Sequence, residues 1–355
     1  MTPPRPFSLL LLFSTALAAA GSVAPAPHWW QLPPLPDRHG FACPFAGETR
    51  GIAIVAGGAN FPERQLWEGG AGAKRWHDRV FVLEPGAESW RLAGRLPRPL
   101  GYGVSASTDT GVIIAGGGDA QRHYADVFAL DWRDGQLVTR NLPPLPRATA
   151  LCSGTRVGDT LYVTGGLPDP TSKSPLNDAF ALDLRAVEKG WRRLPPVPGP
   201  GRHLAVAAAL DGALHLFSGV NFEPDGAGGH RTIYLRDAYR LSAGAGKWER
   251  LPDLPHAAVA GANPAPTFAG EAYLIGGTDG ALFGKPPQEF HQVPRRIQVY
   301  DPRKKAWREA TQAPMARVAV STIQLGDRWV LPSGEISAGV RSPEVWSIYW
   351  PAPAP

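Results

Sequence analysis

Two cysteines, two methionines and no run of like charge are spread over 355 residues. Two cysteines allow at most one bridge, which excludes a disulfide-stapled scaffold. Cys43 and Cys152 lie in corresponding small-residue stretches, "GFACPF" and "TALCSG", far apart in the chain. That favours two buried thiols over a pair. Lys and Arg outnumber Asp and Glu by 36 to 31, a net +5, yet the basic residues are scattered. Without a basic run or basic helix, no nucleic-acid partner is expected. The histidines show no HxxxH or HxH spacing, so no metal site is expected. GxSxG, Walker and dinucleotide fingerprints are missing, so no cofactor is expected. Beyond the first twenty residues, no stretch is apolar enough for long enough to cross a bilayer.

Those first twenty residues, "MTPPRPFSLLLLFSTALAAA", have a different character. One arginine, Arg5, precedes an apolar core from Phe7 to Leu17, and Ala18, Ala19 and Ala20 suit cleavage. The pattern is that of a secretory signal peptide over residues 1–20. The apolar run is short for an anchor of about 20 residues. The expected product is an exported chain of residues 21–355 with no membrane attachment, periplasmic if the host is a Gram-negative bacterium. Arg5 is the only charged residue removed, so that chain carries +4.

What the sequence has in quantity is glycine (41) and proline (38), beside 43% hydrophobic residues. That suits many short strands and many turns around a substantial core. One unit recurs six times. It comprises an Ala/Gly/Ser-rich strand, a tight turn, an apolar strand ending Gly-Gly, a variable loop, a strand after an Asp, then Trp and "LPxLP". The pairs are Gly57-Gly58, Gly116-Gly117, Gly165-Gly166 and Gly276-Gly277, with Ser218-Gly219 and Ser333-Gly334 in two copies. Trp90, Trp191, Trp248 and Trp307 follow four of the third strands. This spacing resembles the kelch repeat, in which each unit is one four-stranded propeller blade. The expected fold is all-β: a single six-bladed kelch-type β-propeller over residues 21–355.

The last unit lacks its Trp-Leu-Pro strand, and the segment Trp29–Pro36, "WWQLPPLP", offers one. The N-terminal strand is therefore expected to close the ring, leaving no exposed sheet edge. In such a meander, the loops between strands 2 and 3 share a face with the loops from strand 4 to the next strand 1. The 2–3 loops are long and dissimilar, which is where binding usually sits on a repeat scaffold. The 4–1 loops place an arginine at nearly the same step five times: Arg38, Arg98, Arg147, Arg202 and Arg317. Repeated residues usually serve the repeat, but a basic ring would also draw in an anion. Arg98, Arg147 and Arg202 are accordingly candidates for substrate binding. Asn60, after the first Gly-Gly, is another, or else it closes its turn. His77, His123, His203 and His230 fit surface or inter-blade positions better than catalytic ones, and Asp78, Asp126, Asp178 and Asp237, before strand 3, fit structural ones.

Glu335 and Arg341 depart from the repeat. Glu335 directly follows Ser333-Gly334 and opens the 2–3 loop of the last unit, beside the central channel; Arg341 stands six residues on. Five intervening residues can bring both side chains over one pocket. An arginine can hold a carboxylate by two hydrogen bonds, and a carboxylate can move a proton on a bound sugar.

The stretches "GGANFPE…KRWHDRVFVL…W…LPRPLGYGVS…VIIAGGG" resemble the sialic-acid mutarotases, the N-acetylneuraminate epimerases, which are six-bladed kelch propellers. Gly334, Glu335 and Arg341 look like that family's catalytic loop, Gly-Glu-x5-Arg. The resemblance implies Glu335 as proton acceptor and Arg341 as substrate contact, both catalytic. Blade 3 resembles the family's first blade, which implies a cyclically permuted branch; a closed ring tolerates a moved starting point. There are departures. The loop "TDGALFGKPPQEFHQVPRR" is shorter than the family's corresponding insertion, and Gly118, with Asp119 next, stands where the family has an acid.

The expectation is thus a monomeric, cofactor-independent isomerase opening and reclosing the ring of a sugar acid, with N-acetylneuraminate foremost. The residues do not identify its general acid. A non-enzymatic propeller that binds a glycan or protein is the alternative. A copper radical oxidase would need a Tyr-Cys pair and two histidine ligands, for which the positions of Cys43 and Cys152 are unsuited.

Overall fold

A computed structural model describes residues 25–68, 72–244, 246–282 and 293–351. The expected signal segment lies outside them, as do residues 283–292 of the blade 5 loop. Six four-stranded antiparallel sheets follow one another along the chain as the blades of a β-propeller. Blade 1 comprises Phe45–Thr49, Ile52–Ala56, Arg79–Leu83 and Arg91–Arg95, and blades 2 to 5 repeat the same meander. Blade 6 has Ile323–Leu325, Arg328–Pro332 and Val345–Tyr349 from the C-terminal end and His28–Leu32 from the N-terminal end. The last two pair antiparallel, His28 opposite Tyr349 and Leu32 opposite Val345. The ring is therefore closed by the strand the sequence offered.

Six large apolar clusters each lie between adjacent blades, with two small ones, one around Val220 and Val259 and one around Val293 and Val318. Phe45, Ile54 and Val82 of blade 1 meet Ile114, Phe128 and Leu130 of blade 2, for example. The last large cluster joins blade 6 to blade 1 through Leu35, Val330, Val345, Val55 and Trp90. At the rim, each late tryptophan donates its indole N–H to a proline carbonyl of the preceding outer strand: Trp90 to Pro33, Trp191 to Pro143, Trp248 to Pro195 and Trp307 to Pro252, at 2.8–3.0 Å. A recurring Trp and a recurring Leu-Pro are thus the two halves of one contact between neighbours.

The Gly-Gly pair has a similar cause. A Cβ on Gly276 would lie 2.0 Å from the Arg317 carbonyl oxygen, and one on Gly57 2.2 Å from that of Leu100. Both glycines have positive φ, so their place between blades admits no side chain at that backbone conformation. Serine enters the seam twice and supplies a hydroxyl instead. The Ser333 Oγ accepts from the Phe41 N–H at 2.6 Å and faces the Phe41 and Ser342 carbonyls at 3.0 and 2.8 Å. Ser218 Oγ accepts from the Ala258 N–H at 2.9 Å.

Around the axis runs a closed ring of main-chain hydrogen bonds. Tyr102 donates to Cys43, Leu151 to Tyr102, Leu204 to Leu151, Ala260 to Leu204, Ala319 to Ala260 and Cys43 to Ala319, at 2.6–3.1 Å. All six residues have φ between 42° and 65°. A non-glycine residue held there costs about 1–3 kcal/mol, so the closed ring must over-determine the geometry. It narrows the channel to a neck of about 30 Å³. Cys43 and Cys152 line this neck as free thiols. Blade 5 departs from the pattern. Its inner strand is only Thr267–Phe268, because Pro264 and Pro266 offer no N–H for a longer ladder. Asn263 bridges the gap, its Oδ1 accepting from the Ala207 N–H (2.8 Å) and the Ser153 hydroxyl (3.1 Å).

Candidate active site

Each blade makes one bridge between its entry segment and the residue after its Gly-Gly or Ser-Gly turn. The six partners at that turn are Ala59, Gly118, Leu167, Val220, Thr278 and Glu335. Five are uncharged; the sixth is the carboxylate. The departure in the last copy therefore falls at a position the scaffold repeats identically around the axis, beside the channel mouth.

A short hairpin then carries the arginine back. Glu335–Ser337 pairs with Val340–Arg341, with Glu335 directly opposite Arg341 and an irregularity at Glu335/Ser337. Opposed side chains on antiparallel strands are in contact range. Arg341 Nη2 stands 2.9 Å from Glu335 Oε1, and the two side chains are 3% and 16% exposed. The hairpin is clamped by the long blade 1 loop. Gln65 Oε1 accepts from the Arg341 N–H at 2.5 Å, and the Gly339 Cα side abuts Leu66. The Phe61 ring lies under the guanidinium, 4.5 Å from its centroid. Arg341 is buried, yet its Nε and Nη1 find no hydrogen-bond partner among the described residues. Two buried, unsatisfied cationic donors are costly. An acceptor arriving from outside the chain would offset that cost.

Glu335 lines a cavity of about 340 Å³ whose floor is the hydrogen-bonded ring. Tyr102, Leu204, Ala260 and Ala319 rise from the floor; His203, Phe222, Tyr234 and Val318 form part of the wall. The Tyr102 phenol is pushed up by burial first, with Cys43 and Glu335 adding and Arg341 opposing. The Cys43 thiol is pushed up to about 12, again by burial above all. His203 is pulled down to about 4 because burial disfavours the imidazolium, so its ring is uncharged at neutral pH. Lys74 completes the group. Its ammonium lies 4.5 Å from the Tyr102 ring centroid and 4.6 Å from that of Trp76. Burial and then the Arg341 charge lower its pKa, against Glu335 and Cys43. At the other end of the channel, a polar funnel of about 530 Å³ is lined by the 1–2 turns. Its Arg156 is already held by the Gly158 and Ser107 carbonyls.

The sequence pointed to a ring of five arginines, with Arg98, Arg147 and Arg202 as candidate substrate contacts, but four of the five are held in ion pairs. Arg98 pairs with Asp126, Arg147 with Asp178 (2.9 Å) and Arg202 with both oxygens of Asp237 (2.7 and 2.8 Å). Arg317 pairs with Glu344 at 2.8 Å. Each ties a 4–1 loop to the start of strand 3 in the blade it enters. In blade 1 the signs are swapped: Asp37 of the loop takes Arg79 of the strand, while Arg38 is exposed. None of Arg98, Arg147 and Arg202 lines the cavity beside Glu335. Arg202 is 1% exposed. Arg202→Ala would strand the largely buried Asp237 carboxylate, an effect of about 3–5 kcal/mol. The expected result is a clear drop in the denaturant midpoint, and an unchanged midpoint would refute the structural role. Asn60 is likewise engaged inside the fold. Its amide donates to the Gly40 carbonyl (2.9 Å) and Asp37 (3.2 Å), and its Oδ1 meets His77 Nε2 at 2.7 Å.

The family model for N-acetylneuraminate epimerase matches residues 22–139 and 142–290. The chain belongs to the N-acetylneuraminate epimerase family. The N-acetylneuraminate epimerase of Yersinia enterocolitica is 29% identical over 230 residues, 58% of this chain and 56% of that protein. Those of Yersinia pestis strain Pestoides F and Haemophilus influenzae strain 86-028NP are 28% identical over 229 and 228 residues. These cover 58% and 57% of this chain, and 56% and 57% of the two relatives. The match thus spans about half the length of these curated relatives. The matched residues end at 290, so the Glu335–Arg341 pair stands on the geometry of blade 6 alone. Lys74, Tyr102 and Gln65, which the repeat pattern did not single out, fall inside the matched span.

Proposed function

We propose that this protein interconverts the anomers of a carboxylated sugar, N-acetylneuraminate foremost. The observation that carries the reading is the Glu335–Arg341 pair: a carboxylate on a cavity wall, held against a buried arginine that keeps two donors without partners. Arg341 receives the carboxylate of the sugar by charge-assisted hydrogen bonds. Glu335 takes the proton of the anomeric hydroxyl as the bond to the ring oxygen opens and a second group protonates that oxygen; both protons return on reclosure. Only protons move, so the reaction calls for no cofactor. Family membership supports the substrate class. The place of the acid–arginine hairpin in the last blade suits a permuted order of units, and the N-terminal segment suits export.

The direct test is exchange NMR between anomer signals over a panel of sugar acids, with the uncatalysed rate subtracted. Acceleration of at least one carboxylated sugar is expected; binding without acceleration would move the reading to a glycan-binding propeller. Arg341→Ala discriminates further. Losing a charge-assisted contact costs about 1.5–3 kcal/mol, so calorimetry should show at least a tenfold loss for carboxylated sugars beside a small change for neutral ones. Equal loss for both classes would remove Arg341 from carboxylate recognition.

A further inference from the structure

Opening a cyclic sugar needs two proton positions. One group removes the proton of the anomeric hydroxyl and another delivers one to the ring oxygen. Resting on the mutarotase reading, Glu335 fills the first role, and the second falls to a neighbour of it. The candidates around Glu335 and Arg341 are few. A guanidinium does not release its proton near neutrality, which removes Arg341. Burial pushes the Tyr102 and Tyr234 phenols up and the Cys43 thiol to about 12, so none of them gives up a proton readily. His203, drawn down to about 4, carries no acidic proton at neutral pH. His77 is bound to Asn60.

Lys74 remains. It precedes the short strand Arg75–Trp76, which pairs with Ala59–Asn60 directly after the first Gly-Gly turn. Alternation along an extended chain puts Lys74 and Trp76 on one side and Arg75 on the other. Arg75 is exposed and pairs with Glu63. The Lys74 ammonium is set between two aromatic faces, 4.6 Å from Trp76 and 4.5 Å from Tyr102. Such faces hold a cation without taking its proton. Tyr102, whose ring the ammonium faces, lines the same cavity as Glu335.

We propose that Lys74 is the proton donor of this site, acting opposite Glu335. Glu335 takes the proton of the anomeric hydroxyl, and the electron pair of that O–H bond becomes the second bond of the ketone. The bond between the anomeric carbon and the ring oxygen breaks, and its pair takes a proton from the Lys74 ammonium. The open form holds a protonated Glu335 and a neutral Lys74 amine. After rotation, the amine recovers the proton as the hydroxyl attacks the other face of the ketone, and Glu335 returns its own to the new anomeric oxygen. Burial and the Arg341 charge, against Glu335 and Cys43, lower the pKa of Lys74 toward the range where such exchange is efficient.

Lys74→Arg keeps the charge and the stacking but not the transferable proton; Lys74→Gln removes both. With N-acetylneuraminate as probe, Lys74→Arg should bind within about threefold of wild type by calorimetry. Its anomer exchange should be slower by about 10²–10⁴-fold, the share of one proton-transfer group. Wild-type exchange should fall on an alkaline limb below the usual lysine range of about 10.4, and Lys74→Arg should lack that limb. Lys74→Arg exchange within about threefold of wild type, or a wild-type profile flat to about pH 10, overturns the assignment while leaving the mutarotase reading intact. Wild-type protein that accelerates no sugar acid overturns both.

Discussion

On the proposed reading, Glu335→Gln is expected to leave the propeller folded and to slow anomer exchange of a bound sugar acid by about 10²–10⁴-fold, the usual share of one general base. Glutamine keeps the size and most of the hydrogen-bonding capacity of glutamate but cannot take the proton. The hairpin does not depend on the charge for its shape. It is fixed by the Val318–Glu335 main-chain bridge, the Gln65 contact to the Arg341 N–H, and the bond from the Val293 N–H to the Ile336 carbonyl. The melting midpoint should fall, because the buried Arg341 loses its carboxylate partner and keeps only the glutamine oxygen as acceptor, but the fold should persist. Affinity for a carboxylated sugar should hold or rise, because Arg341 no longer shares its guanidinium with an internal carboxylate. The readout is exchange NMR at saturating sugar, paired with a melt. A variant that exchanges at near wild-type rate would make Glu335 an ordinary turn residue and leave the cavity as a binding site only.

On the proposed reading, the arrangement explains how a repeat scaffold acquires one chemical site. Six equivalent turns are bridged in the same way, so the scaffold fixes all six backbones alike, and Val220, Thr278 and Glu335 among them line the cavity. Replacing an apolar residue by glutamate at one of them places a carboxylate without any new architecture. The arginine then needs only a hairpin short enough to return it to the opposite position, which Ala338–Gly339 provides. Burial supplies the rest. In a cavity lined by Val220, Phe222, Val259 and Val318, charges interact more strongly than in water.

Much of this was legible in the chain because repeats report on themselves. Gly-Gly, the late Trp and Leu-Pro recur for packing reasons that are the same in every blade, and the missing outer strand of the last unit pointed to its replacement at the N-terminus. Glu335 and Arg341 stood out as departures from a known period. The arginine ring is legible for the same reason. Its recurrence marked a structural role, and the partner was in view, since Asp126, Asp178 and Asp237 recur before strand 3 in the same blades as Arg98, Arg147 and Arg202. Lys74 and Tyr102 left no such trace. Lys74 lies in a variable loop with no counterpart, and Tyr102 occupies a ring position filled elsewhere by Cys, Leu or Ala. Only the closure of the ring brings them beside a hairpin more than two hundred residues away.

Deleting Trp29–Pro36 should cost a large part of the stability of the whole propeller, although the segment is an outer strand. The five-residue ladder between His28–Leu32 and Val345–Tyr349 goes almost entirely, with its main-chain bonds worth about 0.5–1.5 kcal/mol each. Leu35, 2% exposed in the cluster between blades 6 and 1, contributes about 1.5–3 kcal/mol by burial alone. Trp90 loses the Pro33 carbonyl that accepts its indole N–H, and the bond from the Leu35 N–H to the Pro343 carbonyl is lost as well. These losses fall on both sides of the seam, so they are to be set against the about 5–15 kcal/mol that hold an ordinary domain together. They also bare Val345–Tyr349 as an unpaired edge, an invitation to aggregation. A fall in the melting midpoint of more than about 10 °C is expected, at about 2–4 °C per kcal/mol for domains somewhat smaller than this one. A synthetic peptide of residues 27–36, added in excess, should restore part of the loss, because whatever binds only the folded ring stabilises it by mass action. A truncated chain that melts within about 2 °C of the full one, and ignores the peptide, would show that blade 6 stands on three strands and that the ring is held shut by other contacts.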